Sequence, residues 1–184
     1  MRITGGIWRG RTLIAPKGLE TRPTSDRVRE SLFNHLSHRA DTPLDNAIVL
    51  DAFAGSGALG LEALSRGASF AIFVDTSRAA LNVVKRNIAA LDAEPKTQTF
   101  PQDSQRLRSL ASPATLAFYD PPYRKQLLER VFPLHHDNGI WAPQALLCIE
   151  HERETIPQFP FLDVERTFRF GDTQISVCRY QPDT

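Results

Sequence analysis

Cysteine is scarce in this chain, with only Cys148 and Cys178 among 184 residues. Both sit inside apolar, strand-like runs, which favours two buried reduced thiols over a disulfide or a nucleophile. No apolar run approaches the length of a membrane-spanning helix. The opening Met1-Arg2-Ile3-Thr4 lacks the apolar core of a signal peptide, so a cytoplasmic protein is expected. The five histidines show no metal-ligand spacing, and His135-His136 reads as a solvated pair. Repeats and low-complexity tracts are absent, and the length suits one core. A monomer is the expectation.

A large net charge is also missing, at only +1, but the charge is unevenly placed. Residues 1–39 carry eight Lys/Arg against three acids, leaving the remainder at −4. A basic segment on a slightly acidic body suits a polyanion, although a solvated basic face is the plain alternative.

What the chain does contain is alternation. Residues 1–14 alternate around Trp8-Arg9-Gly10-Arg11, which predicts a short β-hairpin with Gly10 at positive φ. Arg2, Arg9 and Arg11 would then be available for RNA contacts, with Trp8 anchoring the hairpin to the body. A connector runs from Pro16 to Pro23. Thr24 or Ser25 caps a helix from Asp26 to about Arg39, with Val28, Leu32, Phe33 and Leu36 on its core face. Arg27, Glu30, Ser31 and Asn34 fall on the opposite side, ordinarily a solvent face.

From residue 47 onward strands and helices alternate, which predicts a parallel sheet covered on both faces. Strands are expected at 48–51, 70–75, 97–100, 116–119 and 145–150. Helices are expected at 58–66, 77–91, near 104–110 and from about 125. Strands at 164–170 and 174–180, joined at Gly171-Asp172, predict a terminal hairpin with one antiparallel strand.

Two stretches carry the chemistry. Gly55, Gly57 and Gly60 match G-x-G-x-x-G between a strand and a helix, a pattern in which backbone approaches a ligand closely. Alone it suits a dinucleotide equally well. Asp51, four residues earlier, would repel a pyrophosphate but suits a ligand carrying an ammonium and a sulfonium. Asp75 ends the next strand and can accept both ribose hydroxyls; its alternative is a cap for the following helix. Asp103-Ser104 can meet an adenine amino group, or Asp103 can simply cap the next turn. These features, with Phe53 beside the loop, point to S-adenosylmethionine and need no metal.

The second stretch is Asp120-Pro121-Pro122-Tyr123, after an apolar strand at the same sheet edge. Two prolines fix φ and remove two backbone donors. The Asp120 carboxylate and the Pro121 carbonyl can each accept one N–H of an exocyclic amine. Tyr123 offers a ring on which a base can stack. A rigid turn is the plain alternative.

These motifs, together with Met1-Arg-Ile-Thr-Gly-Gly-Ile-Trp-Arg-Gly-Arg11 and Arg22-Pro-Thr-Ser-Asp-Arg-Val-Arg-Glu-Ser-Leu-Phe-Asn34, resemble the bacterial 16S rRNA (guanine(966)-N(2))-methyltransferases of the RsmD type. The resemblance runs from residue 1 to the last strand. It implies a Rossmann-like α/β methyltransferase domain at 24–184, with a seven-stranded sheet containing one antiparallel strand. It implies an N-terminal docking extension at 1–23. It also implies S-adenosylmethionine as methyl donor and a guanine N2 in 16S rRNA, within a 30S subunit or assembly intermediate, as substrate. Arg22, Thr24, Arg27, Glu30 and Asn34 become candidates for the site wall. The departures are Ala52, where leucine is common, and Phe118-Tyr119 before Asp120, where aliphatic residues are commoner. Rival readings are an adenine-N6 or protein-glutamine methyltransferase, a dinucleotide-binding oxidoreductase, and a non-catalytic RNA-binding assembly factor.

Overall fold

The computed structural model describes residues 1–15, 26–39, 44–121, 127–152, 158–171 and 173–182. Arg22, Thr24, Pro122, Tyr123, Asp172 and the connector at 16–23 lie outside the described residues. The element order is α1 (Asp26–Ser37), β1 (Ile48–Asp51), α2 (Ala58–Ser65), β2 (Phe70–Val74), α3 (Arg78–Ala90) and β3 (Thr97–Phe100). It continues with β4 (Ala114–Tyr119), α4 (Leu127–Asp137), β5 (Trp141–Glu152), β6 (Leu162–Phe170) and β7 (Thr173–Tyr180).

Among the described residues the strands form one seven-stranded sheet in the order β3-β2-β1-β4-β5-β7-β6. The first five are parallel, and β7 runs antiparallel between β5 and β6. Central strands read as continuous apolar runs because both faces are covered. Val49, Ala71, Phe73, Phe118 and Cys148 join the core on the α1 face. Leu50, Ile72, Val74, Tyr119 and Ile149 join the core on the α4 face. The chain leaves β1 to one side for β2 and β3, then returns to the other side for β4. That reversal opens a crevice at the carboxyl ends of β1 and β4, which places the glycine loop beside Asp120.

Local signals set the helix ends. Ser77 caps α3, its Oγ accepting from the Ala80 N–H at 3.2 Å. Gly67, at φ 113°, follows the end of α2. A Cβ on Gly60 would lie 2.5 Å from the Phe73 ring, so this glycine serves the packing of α2 on β2. The strand expected at 145–150 is longer, beginning at Trp141, and the helix expected near 104–110 is a single 3-10 turn, Ser104–Arg106.

The N-terminal segment turns back on itself as expected, with Gly10 at φ 84°, but its ladder is short. Antiparallel pairing reduces to one bridge, Arg2 with Thr12, supported by Ile3 N–H to Arg11 O at 2.9 Å and Leu13 N–H to Met1 O at 3.0 Å. Beyond Gly5-Gly6 the chain also bonds α2. Ile7 N–H donates to Ser65 O at 2.8 Å and Trp8 N–H to Ser65 Oγ at 3.0 Å. Ile3 and Leu13 are buried in the α1-face core, with Trp8 packed against it. Its ends lie near the glycine loop, where Ser56 Oγ meets Met1 Sδ at 3.3 Å.

Two charge and polarity expectations are corrected by packing. Arg29, counted with the basic segment, is fully buried. It donates to the Arg2 carbonyl, bonds Asp26 Oδ1 at 2.9 Å, and lies 3.9 Å from the equally buried Glu62. His135 is also fully buried rather than solvated, because Val131, Phe132 and His135 share the inward face of α4. Trp141 Nε1–H donates to Tyr119 Oη at 2.9 Å, and Tyr119 O–H then donates to His135 Nδ1 at 2.7 Å. That leaves the proton on His135 Nε2, which donates to the Ser104 carbonyl at 2.8 Å. Burial holds this imidazole near a pKa of about 4, so it stays neutral. His136 is partly buried, stacked 4.3 Å from the Phe161 ring.

Candidate active site

The site assembles where β1, β2 and β4 end. Gly55 and Gly57 adopt φ of 53° and 78°, which favours glycine. A Cβ on Gly55 would meet nothing nearer than the Phe53 carbonyl at 4.0 Å, so this backbone faces open space. A Cβ on Gly57 would instead press on Phe73 and Val84 at 3.3 Å. Of the three glycines, Gly55 is the one that leaves room for a ligand.

Asp75 bonds this loop directly, and Asp51 and Asp120 lie within electrostatic reach at the same strand ends. Asp51 is 2% exposed and accepts from the Gly60 N–H at 3.2 Å. Burial, opposed by that bond and reinforced by the Asp75 charge, pushes its pKa up to about 7. A carboxyl raised in this way favours the folded state below its unfolded pKa of about 3.9, and that contribution fades as pH climbs to about 7. An ionised Asp51 is therefore strained by its surroundings, and a cationic ligand group would relieve it. Asp75 Oδ2 accepts from Gly55 N–H at 2.9 Å and Oδ1 from Ser77 N–H at 2.8 Å. The helix cap is Ser77 itself, and each Asp75 oxygen retains a second lone pair for a hydroxyl.

Asp120 follows β4 and is partly buried. Its carboxyl is held well above the ordinary range, first by burial, then by the charges of Glu150 and Asp51. Glu150 is a site residue that the sequence reading missed. Tyr119 pairs with Ile149, so the next residues, Asp120 and Glu150, stand side by side. Both line a small cleft with Leu32, Leu59, Cys148 and Ile175. The available signal was an acid ending an apolar strand, the same signal that marks Asp51 and Asp75.

The other candidates are placed as follows. Phe53 is partly buried, its ring edge-on to Tyr119 at 6.4 Å. Asp103 caps the 3-10 turn, accepting from the Gln105 N–H at 2.9 Å. The Ser104 hydroxyl is buried and donates to the Ala52 carbonyl, tying this loop to the end of β1. Pro121 is described and partly exposed. Arg27, Glu30 and Asn34 are exposed on α1, and the α1 residue that lines the pocket is Leu32. Arg2 is exposed and paired with Asp26 at 3.5 Å. Arg9 and Arg11 are exposed, with Arg11 reaching the Ala90 carbonyl at the last turn of α3. Since α2 and α3 run away from the glycine-loop edge, these two arginines stand at the opposite edge of the sheet from Asp120. Cys148 and Cys178 are buried and unbridged, with Cys148 opposite Val177, so the two thiols face opposite sides of the sheet.

A family model described as Conserved hypothetical protein 95 matches residues 1–179. The chain is 43% identical over 161 residues to "Ribosomal RNA small subunit methyltransferase D" of Escherichia coli strain K12, covering 87% of this chain and 79% of that protein. It is 35% identical over 162 residues to the protein of the same name from Haemophilus influenzae, covering 84% and 80%. The solved structure of the Escherichia coli protein yhhF superposes with a TM-score of 0.88 at 36% identity, over 100% of this chain and 99% of that one. An RNA methyltransferase from Salinibacter ruber shares the fold alone, at a TM-score of 0.65 and 13% identity over 88% and 95%. The family match over residues 1–179 and the identity to these curated relatives place the chain among methyltransferases: it belongs to the Conserved hypothetical protein 95 family, that of the small-subunit ribosomal RNA methyltransferases D.

Proposed function

We propose that this protein transfers a methyl group from S-adenosylmethionine to the exocyclic N2 amine of a guanine in 16S ribosomal RNA. The observation that carries the reading is the side-by-side arrangement of an open Gly55 backbone and three acids, Asp51, Asp75 and Asp120. A pyrophosphate brought beside the buried Asp51 carboxyl would add negative charge where burial already disfavours it, which disfavours a dinucleotide. The sulfonium donor fits, since Asp51 can take its ammonium, Asp75 its ribose hydroxyls, and the loop at Asp103 its adenine end. When bound, S-adenosylmethionine supplies an electrophilic methyl group. The relatives' names supply the small-subunit RNA. The Salinibacter protein of this fold was solved with S-adenosyl-L-homocysteine.

The chain's own residues position and deprotonate. Asp120 and the Pro121 carbonyl each accept one N–H of the amine, fixing its lone pair toward the cofactor side. The extra proton left on the nitrogen after transfer passes to Asp120, with Glu150 adjacent. Tyr119 and Phe53 exclude water behind the site. Most of the rate gain is orientation, because an aryl amine is a weak nucleophile whose approach must be held. The base has to be unpaired or extruded to enter.

Residues 1–23 serve as a docking extension to the domain at 24–184, with Arg9 and Arg11 extending the RNA footprint to the far edge of the sheet. Neutralising both is expected to weaken RNA binding and to reduce the salt slope by about two. An unchanged slope removes this surface from the interface. Asp75→Ala is expected to raise the Kd for S-adenosylmethionine by about tenfold or more, read by calorimetry, from lost hydrogen bonds to a charged group. An unchanged Kd removes it from the ribose role. Tritiated methyl transfer to under-methylated 30S particles, followed by mapping of the modified nucleotide, tests the whole proposal. Methyl recovered in protein or on adenine would overturn it.

A further inference from the structure

On the α1 face, Asp120 heads a row that crosses the sheet. It stands beside Glu150, Glu150 pairs with Ile175, and Ile175 pairs with Phe168. With neighbouring strands ~4.8 Å apart, Phe168 lies roughly 14 Å from Asp120, a span that a few nucleotides cover. Phe170 is the next residue on that face toward the carboxyl ends of the parallel strands, and β6 is the last strand of the sheet.

Phe168 and Phe170, on the last strand of the sheet, are only half-buried. Their rings are 6.3 Å apart and 7° from parallel. The exposed Arg166 guanidinium lies over the Phe168 ring, 4.9 Å from its centre, and His35 meets that ring edge-on at 5.2 Å, which leaves Phe170 as the face open to a base. Parallel, part-exposed rings with a cation beside them match what an unpaired nucleotide needs, a stacking face for the base and a positive group for the phosphate. Ile175, which lines the pocket, pairs directly with Phe168.

We infer that Phe168, Phe170 and Arg166 form a stacking platform for unpaired RNA nucleotides that flank the target base. This rests on the reading of the pocket as an RNA base methyltransferase site. Extruding one base leaves its neighbours unstacked, and the platform offers them a replacement partner.

The test uses the full chain and a labelled RNA hairpin with an unpaired loop guanine, followed by fluorescence anisotropy. Phe170→Leu is expected to raise the RNA Kd about tenfold, and Phe170→Trp to keep wild-type affinity. Arg166→Ala is expected to weaken binding and lower the salt slope by about one. The Kd for S-adenosylmethionine and the Tm should stay at their wild-type values in all three. RNA affinity within about twofold of wild type in both Phe170→Leu and Arg166→Ala overturns the platform. So does a loss that follows a falling Tm and is not recovered by tryptophan. A protein that binds RNA through these residues yet transfers no methyl group would sink the methyl-transfer reading and leave the platform standing. One that binds no RNA at all sinks both.

Discussion

Replacing Asp120 with alanine is expected to lower methyl transfer by about 10²–10⁴-fold while the Kd for S-adenosylmethionine changes little. The carboxylate is the group that accepts an amine N–H and then the departing proton, and the alanine side chain can do neither. Asparagine separates the two roles. Its carbonyl still accepts a hydrogen bond, so Asp120→Asn should retain part of the activity, but it cannot titrate.

The pH profile therefore discriminates. Burial, with Glu150 and Asp51 alongside, raises the Asp120 carboxyl, so it is protonated at a higher pH than an exposed aspartate. The protonated form loses an acceptor, and kcat/KM should fall on the acid side with a midpoint above about 3.9. In Asp120→Asn this acid limb should shift or vanish. Turnover close to wild type in the alanine variant, or an unchanged acid limb in the asparagine variant, would remove Asp120 from the chemistry.

The second large effect concerns stability. Glu62→Ala is expected to destabilise the fold by about 3–5 kcal/mol, the cost of leaving buried charge without its partner. For a chain of this size, that lowers Tm by about 10 °C. Glu62 is fully buried and gathers several donors. Thr4 N–H and Oγ1–H donate to its two oxygens at 2.8 and 2.7 Å, and Arg66 Nε–H donates at 2.8 Å. Arg29, also fully buried, stands 3.9 Å away. Removing one carboxylate therefore loosens α1, α2 and the N-terminal segment together. Thermal unfolding measures the loss, and hydrogen exchange at Thr4 should accelerate with it. A Tm within a degree or two of wild type, about 0.5 kcal/mol on this scale, would show that solvent relaxes the cluster.

How much was legible in advance differs by element. Strand–helix alternation from residue 47, the glycine loop and the Gly67 helix stop were readable because each rests on neighbours within a few residues. The same holds for Asp51, Asp75 and Asp120, each placed by a strand that ends at the acid. The N-terminal segment pairs with itself as expected, but it also bonds Ser65, and that partner lies 58 residues from Ile7 and 57 from Trp8. His135 looked solvated as one of two adjacent polar residues, yet packing of α4 against Tyr119 and Trp141 encloses it. Helix periodicity through Val131 was the overlooked signal.

By itself, the sequence determined the order of strands and helices, the glycine loop and the acids at strand ends, since hydrophobic period and backbone turn preferences are local. The tertiary structure decided which of those acids meet. Strand register set Glu150 beside Asp120 and carried the row on to Phe168. Burial turned Arg29 from a surface cation into the partner of Glu62. Register and burial depend on residues far apart in the chain, so no short window of sequence contains them.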